Sequence, residues 1–354
     1  MNRKLTWLGV VSALLLAACT TQGPVQPEAE APRPVEKAPA LSPKLAAAAD
    51  YLTRMAEQQA RLYSVAAPLL INNAQLCKSH ARNLLGFTAK NRYYYPGEFN
   101  EAAHYAFGMG DQMQVTGVLA GSGASKAGLR RGDGLVSAEG KPIPTGATAP
   151  STVGSVLGPL VAKNATIDMV ISRDGANRDI AVPVTRACGF GIELGNSDNV
   201  NSYADGSRVL VTRGMLNFAQ SNDELAYVMA RGIAHNMLGH PQSQRQNSTL
   251  SSIIDNLVSV RPDLSMLIGS GGVKAMPSDL DAAADRLAVY LLARANYDLD
   301  GVEKFWKRLA DTYPASVLNG YVANHPSTQV RLATIGKAVD EVEAKRKAKQ
   351  ALVP

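Results

Sequence analysis

The stretch that decides the fold of this chain runs from Glu224 to His240 and reads ELAYVMARGIAHNMLGH. In a helix, residues four apart lie on one face, so Arg231 and His235 would point in the same direction. His240 follows His235 by five residues and would lie about 140° away, off that face. Glycine inside a helix costs about 1 kcal/mol relative to alanine, so local fraying is expected at Gly232 unless packing offsets it.

Three further motifs surround this stretch. The run NSYADGSRVLVTRGML starts at Asn201, and two later motifs read Asp281-Ala-Ala-Ala-Asp285-Arg286 and His325-Pro-Ser-Thr. In this order the four motifs resemble those of peptidase family M48, the zinc metallopeptidases that include HtpX, BepA and the CAAX-prenyl proteases. The family has a strand followed by a helix of the form Glu-Leu-Ala-x-Val-x-Ala-His-Glu-x-x-His. The resemblance covers about residues 186–342.

The resemblance implies a zinc site held by the two histidines of that helix and a glutamate of a second helix. It also implies that the glutamate after the first histidine acts as general base on the zinc-bound water. This sequence departs from the family at Arg231 in place of the first histidine, Gly232 in place of the base and Asp281 in place of the glutamate ligand. The positions that stay in register are His235 as a ligand and Asp285 and His325 as supporting residues.

These departures argue against a working metal centre. The guanidinium of Arg231 stays protonated and repels a divalent cation, and the glycine that follows it offers no proton acceptor. We therefore expect no cofactor, and we predict an ion pair from Arg231 to Asp281 or Asp285 that joins the two helices in place of the metal. The alternative is an active zinc endopeptidase with a site rebuilt from His235, Asp281 and His325.

Short β-like runs separated by glycines fill the region from about Tyr105 to Val184. The run GSGASKAGLRRGDGLVSAEGKPI, which starts at Gly121, resembles a bacterial PDZ domain. Such domains bind extended peptides by adding a strand to a sheet edge, and a loop of backbone amides receives a carboxylate. The resemblance places that loop at Phe107, Gly108 and Met109. The domain either still holds peptide or only packs against its neighbour.

The N-terminus has the pattern of an export signal. Arg3 and Lys4 precede an apolar run, 5–16, that is too short to span a bilayer. The following Leu-Ala-Ala-Cys19 resembles the lipobox of bacterial lipoproteins, which implies acylation of Cys19 and anchoring in membrane lipid. Thr20 then points to the outer membrane of the cell envelope, with the protein facing the periplasm. A plain secretory signal with a chance cysteine is the alternative.

Two cysteines remain once Cys19 is assigned to lipid. Cys77 and Cys188 would both be exported to an oxidising compartment, so we predict that they form a disulfide. Two free buried thiols are the alternative.

The expected fold class is α+β, with N-terminal helices, a PDZ-like β domain and a mainly α-helical, zincin-like (gluzincin) peptidase domain. Apolar residues at three- and four-residue spacing predict one or two amphipathic helices near the start, at Leu52, Met55, Leu62, Val65 and Leu69. The predicted segments are a signal peptide (1–18), a lipidated cysteine with a Pro-rich tether (19–43), a helical segment (44–104), the PDZ-like domain (105–185), the metallopeptidase-like domain (186–342) and a charged tail (343–354).

The distribution of charge argues against one further class of function. The net charge is +6, but the basic residues are spread along the chain, which argues against nucleic-acid binding. Three functions remain open: a pseudopeptidase that binds peptides or envelope proteins through the PDZ-like domain and the old cleft, the active endopeptidase, and a purely structural lipoprotein.

Overall fold

The computed structural model describes residues 41–267, 271–313, 325 and 328–354. The predicted signal peptide, Cys19 and the tether up to residue 40 lie outside these residues. Within the described part, no helix is both long enough and apolar enough to cross a membrane. Residues 42–354 form one unit of mixed α+β structure.

A single long helix, α1 (Pro43–Asn72), opens the described chain. Its start is set by Ser42, whose side chain accepts a hydrogen bond from the Leu45 N–H, and by the proline at the first helical position. The apolar stripe predicted from the sequence is confirmed, since Leu52 and Leu62 are buried. Of the one or two helices predicted, the structure has one, with a continuous buried face.

The segment that follows, here called the β-module (residues 85–184), contains one sheet with strand order β2-β3-β4-β6-β7, and β5 pairs with β4. Its strands are β2 (Phe87–Lys90), β3 (Gln114–Val118), β4 (Gly134–Ala138), β5 (Lys141–Pro142), β6 (Thr166–Arg173) and β7 (Ala176–Pro183). Its helices are α2 (Glu98–Phe107), α3 (Gly123–Lys126) and α4 (Ala149–Lys163). A separate apolar core around Leu135, Ile167 and Ile171 lies under this sheet.

The turn before β4 is held by Asp133, which is buried. Arg173 donates from Nε and Nη2 to its two carboxylate oxygens, both at 2.6 Å, and the Arg130 N–H donates to it at 2.8 Å. Burial alone would raise the pKa of Asp133, but these hydrogen bonds lower it below the ordinary value of 3.8. The turn thus depends on an ionised carboxylate.

Replacing Asp133 by alanine should destabilise the protein by about 2–3 kcal/mol, because the forked bond from Arg173 is lost. Because the folded pKa is depressed, the contribution of Asp133 is complete above about pH 4 and is lost as the pH falls through the folded pKa. Urea unfolding at pH 7 and pH 3 measures both effects, with the exposed Asp179 of β7 replaced by alanine as the control. Equal losses for the two variants at pH 7 would contradict this role.

The C-terminal region packs helices against a small sheet of order β10-β11-β9. Its strands are β9 (Gly191–Gly195), β10 (Ser202–Ala204) and β11 (Arg208–Thr212). Its helices are α5 (Arg213–Phe218), α6 (Asn222–Met237), α7 (His240–Ser243), α8 (Asn247–Leu257), α9 (Ser278–Arg294), α10 (Val302–Thr312) and α11 (Thr328–Lys347). Helix α9 contacts both α6 and α11 around the largest apolar core described, which α1 joins through Leu62 and Leu69.

The predicted disulfide is confirmed. Cys77 and Cys188 are bonded, with their Cα atoms 5.5 Å apart, and both are buried. The bond joins the turn after α1 to β8 (Thr185–Cys188), which pairs with β1 (Ala81–Leu84). It therefore connects the N-terminal helix to the strand that links the β-module to the C-terminal region.

Two predicted boundaries fall inside structural elements. The segment 44–104, predicted to be helical, also contains β1 and β2, and β2 pairs with β3 of the β-module. These strands are only four residues long, which is too short for alternation to distinguish them from turns. Helix α11 continues to Lys347, so the first residues of the predicted tail are helical.

Candidate functional site

The site lies between α6 and α9. Helix α6 starts after Ser221, whose side chain accepts from the Glu224 N–H at 3.1 Å. Its four-residue spacing places Arg231 and His235 on one face, and both are buried. Two buried acids of α9, Asp281 and Asp285, face them.

Arg231 forms the predicted ion pair, and it does so with both aspartates. Its Nη2 lies 2.5 Å from Asp281 Oδ1, and its Nε lies 2.8 Å from Asp285 Oδ1. The same Nη2 lies 3.1 Å from His325 Nδ1. One guanidinium therefore connects α6 to two consecutive turns of α9 and to His325.

A second arginine, which the sequence did not indicate, completes this network. Arg331 of α11 donates from Nε to Asp285 Oδ2 at 2.8 Å, and its Nη2 lies 3.2 Å from Oδ1. Its guanidinium also lies 4.7 Å from the centre of the Trp306 ring. No motif marks Arg331, since its role depends on how the last helix packs. Asp285 is thus neutralised from two helices at once.

Asp281 is the most strongly perturbed acid of the site. Burial alone would raise its pKa, but the nearby Arg231, His325 and Arg331 lower it to about 2. His325 Nδ1 lies 2.9 Å from Asp281 Oδ1. Burial and the Arg231 charge lower the pKa of His325 to about 4, despite Asp281. At neutral pH the site therefore holds an ionised aspartate and an uncharged histidine.

His240 lies against His235 but is not part of the described cluster of possible metal ligands, His235, Asp281 and His325. The His240 Nδ1 is 2.9 Å from His235 Nδ1. Helix α6 ends at Met237, and Gly239 has a φ of 67°, so the chain turns back before α7 starts at His240. The 140° estimate does not describe this contact, because it extended one helix through that turn.

His235 is buried, and its Nε2 has a different environment from its Nδ1. Burial, followed by the charge of Arg231, lowers its pKa well below 6.5, so the ring is neutral. Its Nε2 lies 3.5 Å from Asp281 Oδ1 but has no hydrogen-bond partner among the described residues. A cavity of about 40 Å³ beside it is lined by Tyr203 and His325 among others.

Gly232 is required by a close approach of α6 to β11. A Cβ atom at this position would lie 2.6 Å from Val209 Cγ1 and 3.1 Å from Cγ2. Val209 is fully buried in the core of the C-terminal region. The predicted fraying is absent, since α6 is continuous from Asn222 to Met237. Val209 of β11 therefore fills the space beside position 232. Glycine allows this contact because it has no Cβ atom.

Zinc is the metal that the sequence motifs imply for this site. His235, Asp281 and His325 each offer one ligand atom, and these atoms lie within 4.8 Å of one another. Zinc needs the free electron pairs of its ligands. Arg231 Nη2 lies at hydrogen-bond distance from both Asp281 and His325, so a permanent cation already occupies the position between two of the three donors. In this arrangement, His235, Asp281 and His325 do not fit a zinc ion.

The predicted peptide-binding loop lies at the end of α2, away from this site. Gly108 caps α2 with a φ of 65°, Met109 is buried, and Phe107 has the Arg131 guanidinium 5.1 Å from its ring centre. Phe107 and Met109 line a cavity of about 700 Å³ that shares no lining residue with the cavity beside His235. The structure thus separates the two sets of predicted functional residues.

Comparison with known proteins places this geometry in a family. The model of "Peptidase family M48" matches residues 162–339, half of the chain. The chain belongs to peptidase family M48. This M48 chain is 28% identical over 156 residues to a Vibrio cholerae protein named as a beta-barrel assembly-enhancing protease, covering 38% of the chain and 31% of that protein. It is 26% identical over 148 residues to the mitochondrial metalloendopeptidase OMA1 of Schizosaccharomyces pombe, covering 40% of the chain and 44% of OMA1. The chain spans less than half the length of these relatives.

Proposed function

We propose that this M48 protein is a pseudopeptidase that binds peptides or envelope proteins without cleaving them. The observation that carries the proposal is the position of Arg231, whose guanidinium lies 2.5 Å from Asp281 and 3.1 Å from His325. In the family's motif this is the place of the first zinc-binding histidine. A cation that cannot be deprotonated at neutral pH takes the place of a neutral metal ligand.

The general base is missing for a related reason. The family's glutamate corresponds to Gly232, and Val209 occupies the space into which its side chain would extend. A carboxylate beside the zinc-bound water is what the family uses to activate that water. Arg231 and Gly232 are both buried. Arg231 is paired with aspartates of α9, and Gly232 is packed against Val209. These contacts support a site that is stabilised by an ion pair and by packing.

We assign peptide binding to the β-module and to the cleft beside β10, where the family's zinc site would lie. By its resemblance to a PDZ domain, the β-module would bind extended peptide. Strand β10 is at an edge of the small sheet, next to the cavity lined by Arg231 and His235. An edge strand offers unpaired backbone groups to a partner chain.

In this proposal Cys19 is acylated and holds the protein in the cell envelope, at the outer membrane and facing the periplasm.

The proposal is tested by measuring cleavage and binding on the same sample. Purified full-length protein is incubated with fluorescent casein, with and without a zinc chelator, and peptide binding is followed by fluorescence polarisation. We expect peptide binding that the chelator does not change and no chelator-sensitive cleavage. Chelator-sensitive cleavage would overturn the non-catalytic assignment, and an absence of binding to any peptide would overturn the binding function.

A second candidate is an active zinc endopeptidase with a rebuilt site. The observation that favours it is the clustering of His235, Asp281 and His325, with ligand atoms within 4.8 Å of one another. It requires Arg231 to leave its position between two aspartates. It predicts that Asp281→Asn abolishes cleavage, whereas the pseudopeptidase shows no cleavage to abolish.

A further inference from the structure

A cavity of about 700 Å³ lies where three parts of the fold meet. Its walls come from α1, from β2 and β3 of the β-module, and from β9 of the C-terminal region. Cavities that bind small molecules measure about 300–1,000 Å³. This inter-module cavity is therefore large enough to enclose one ligand of that class.

The inter-module cavity uses side chains on one face of the β-module sheet. Thr88 of β2 and Thr116 of β3 both line it, and their hydroxyl oxygens lie 3.1 Å apart. Strand β2 is the end strand of this sheet, and a peptide added to its edge would pair with its backbone. The inter-module cavity is therefore a different site from a strand added at that edge.

The lining of the inter-module cavity combines buried apolar side chains with charged groups nearer to solvent. Leu52 of α1, Val115 of β3 and Leu194 of β9 are buried. Arg131 is exposed, and Lys90 is half-buried. An amphiphilic ligand matches this arrangement, because its apolar chain leaves water while its charged head group stays close to it.

Three charged side chains line the cavity without forming ion pairs among the described residues: Lys90, Arg131 and Glu193. The Lys90 ammonium lies 3.8 Å from the centre of the Tyr94 ring, and the Arg131 guanidinium lies 5.1 Å from that of Phe107. A cation on an aromatic ring can still donate hydrogen bonds to an anion. The cavity therefore offers two donors to an anionic group.

Glu193 offers the opposite charge in the same cavity. Burial raises the pKa of its carboxyl, and the charges of Lys90 and Arg208 offset this only in part. A cation placed against this carboxylate would favour its ionised form. The cavity therefore suits a ligand that carries a positive group as well as a negative one.

Gln114 adds a buried acceptor without a partner. It donates from Nε2 to the backbone oxygens of Phe107 at 3.2 Å and Gly132 at 3.0 Å, which fixes the orientation of its amide. Its Oε1 is buried and accepts no hydrogen bond from the described residues. Such an atom favours a ligand that brings a hydroxyl or N–H donor.

We propose that the inter-module cavity binds a single-chain phospholipid whose head group carries an amine. The phosphate accepts hydrogen bonds from Arg131 and Lys90, and the ammonium group donates to Glu193. The free glycerol hydroxyl donates to Gln114 Oε1, and the acyl chain packs against Leu52. This ligand site goes beyond the proposed peptide binding and does not depend on it.

Other amphiphiles supply only part of this set. A fatty acid has an anionic group and an apolar chain, but it has neither an amine for Glu193 nor a hydroxyl for Gln114. A lysophosphatidylglycerol has the phosphate and the hydroxyls but lacks the amine. These two classes are therefore the matched comparisons for a lysophosphatidylethanolamine.

The test is isothermal titration calorimetry with dodecanoyl lysophosphatidylethanolamine below its micelle concentration. The full-length protein carries Cys19→Ser, which removes the predicted acylation site and the need for detergent. We expect one molecule bound per chain, with about tenfold weaker binding of dodecanoyl lysophosphatidylglycerol and weaker binding still of dodecanoate. Equal affinities for the two lysophospholipids would overturn the assignment of the head group.

Two charge variants test the polar contacts. Glu193→Gln should reduce the difference between the two lysophospholipids to less than about twofold, because it removes only the partner of the amine. Arg131→Gln should weaken both by about tenfold, because the phosphate loses its exposed donor. A preference for the amine that survives Glu193→Gln overturns the role of that carboxylate.

A pair of α1 variants tests the location. Ala56 lines the cavity, whereas Ala60 is exposed one turn further along the helix and does not line it. Ala56→Trp should abolish binding and Ala60→Trp should leave it unchanged, with equal unfolding midpoints confirming both folds. Binding that survives both Ala56→Trp and Arg131→Gln overturns this site. Protein without either α1 substitution that binds no lysophospholipid overturns the proposal and leaves the peptide-binding function standing.

Discussion

Replacing Arg231 by alanine is expected to cost about 3–5 kcal/mol of folding stability, because it leaves a buried carboxylate without its cation. Asp281 is fully buried, and Arg231 Nη2 is 2.5 Å from its Oδ1. Asp285 keeps a guanidinium from Arg331, so most of the loss falls on Asp281. Arg231→Lys should recover only part of the stability, because an ammonium cannot reach two carboxylates as the planar fork does.

Urea unfolding followed by circular dichroism measures this effect. The control is Lys307→Ala, which removes an exposed ion pair to Asp311 and should change stability by less than about 1 kcal/mol. Adding Asp281→Asn to Arg231→Ala should recover part of the loss, since it removes the unpaired buried charge. A loss for Arg231→Ala no larger than that for Lys307→Ala would show that the ion pair does not hold α6 to α9.

Restoring the glutamate at position 232 should fail on its own, because Val209 occupies the space. A Cβ on Gly232 would lie 2.6 Å from Val209 Cγ1, and overpacking of this kind costs about 1–3 kcal/mol. Gly232→Glu in an Arg231→His background is therefore expected to fold less stably than Arg231→His alone.

Removing the obstructing methyl groups should reverse this effect. Val209→Ala added to the Gly232→Glu variant is expected to stabilise it, with a coupling energy of about 1 kcal/mol or more in a double-mutant cycle. Val211→Ala is the matched control, since Val211 is equally buried on β11, whereas the three atoms nearest to the new Cβ all belong to Val209. Equal effects of the two alanines on the variant would mean that Val209 does not select for glycine.

Local geometry explains what could be predicted about the site. The four-residue spacing of Arg231 and His235 placed both on one helix face. The family resemblance placed Asp281 and Asp285 opposite that face, and the charge of Arg231 then predicted the ion pair. The disulfide was predicted from the expected export signal and the two cysteines that remain besides Cys19.

The residues missed are those that reach the site through packing distant in sequence. Arg331 arrives from the last helix, and Val209 approaches Gly232 from a strand. The contact of His240 with His235 was not predicted, because the turn at Gly239 ends the helix before it. In each case the decisive contact depends on how elements pack or where one ends, and no periodicity records that.

Zinc content shows directly whether an ion pair has replaced the metal. Wild type and Arg231→His are purified without a metal-binding tag, dialysed against zinc and analysed by inductively coupled plasma mass spectrometry. We expect no stoichiometric zinc in wild type and about one zinc ion per chain in Arg231→His, where the introduced imidazole joins His235 and Asp281. Stoichiometric zinc in wild type would mean that the ion pair has not replaced the metal.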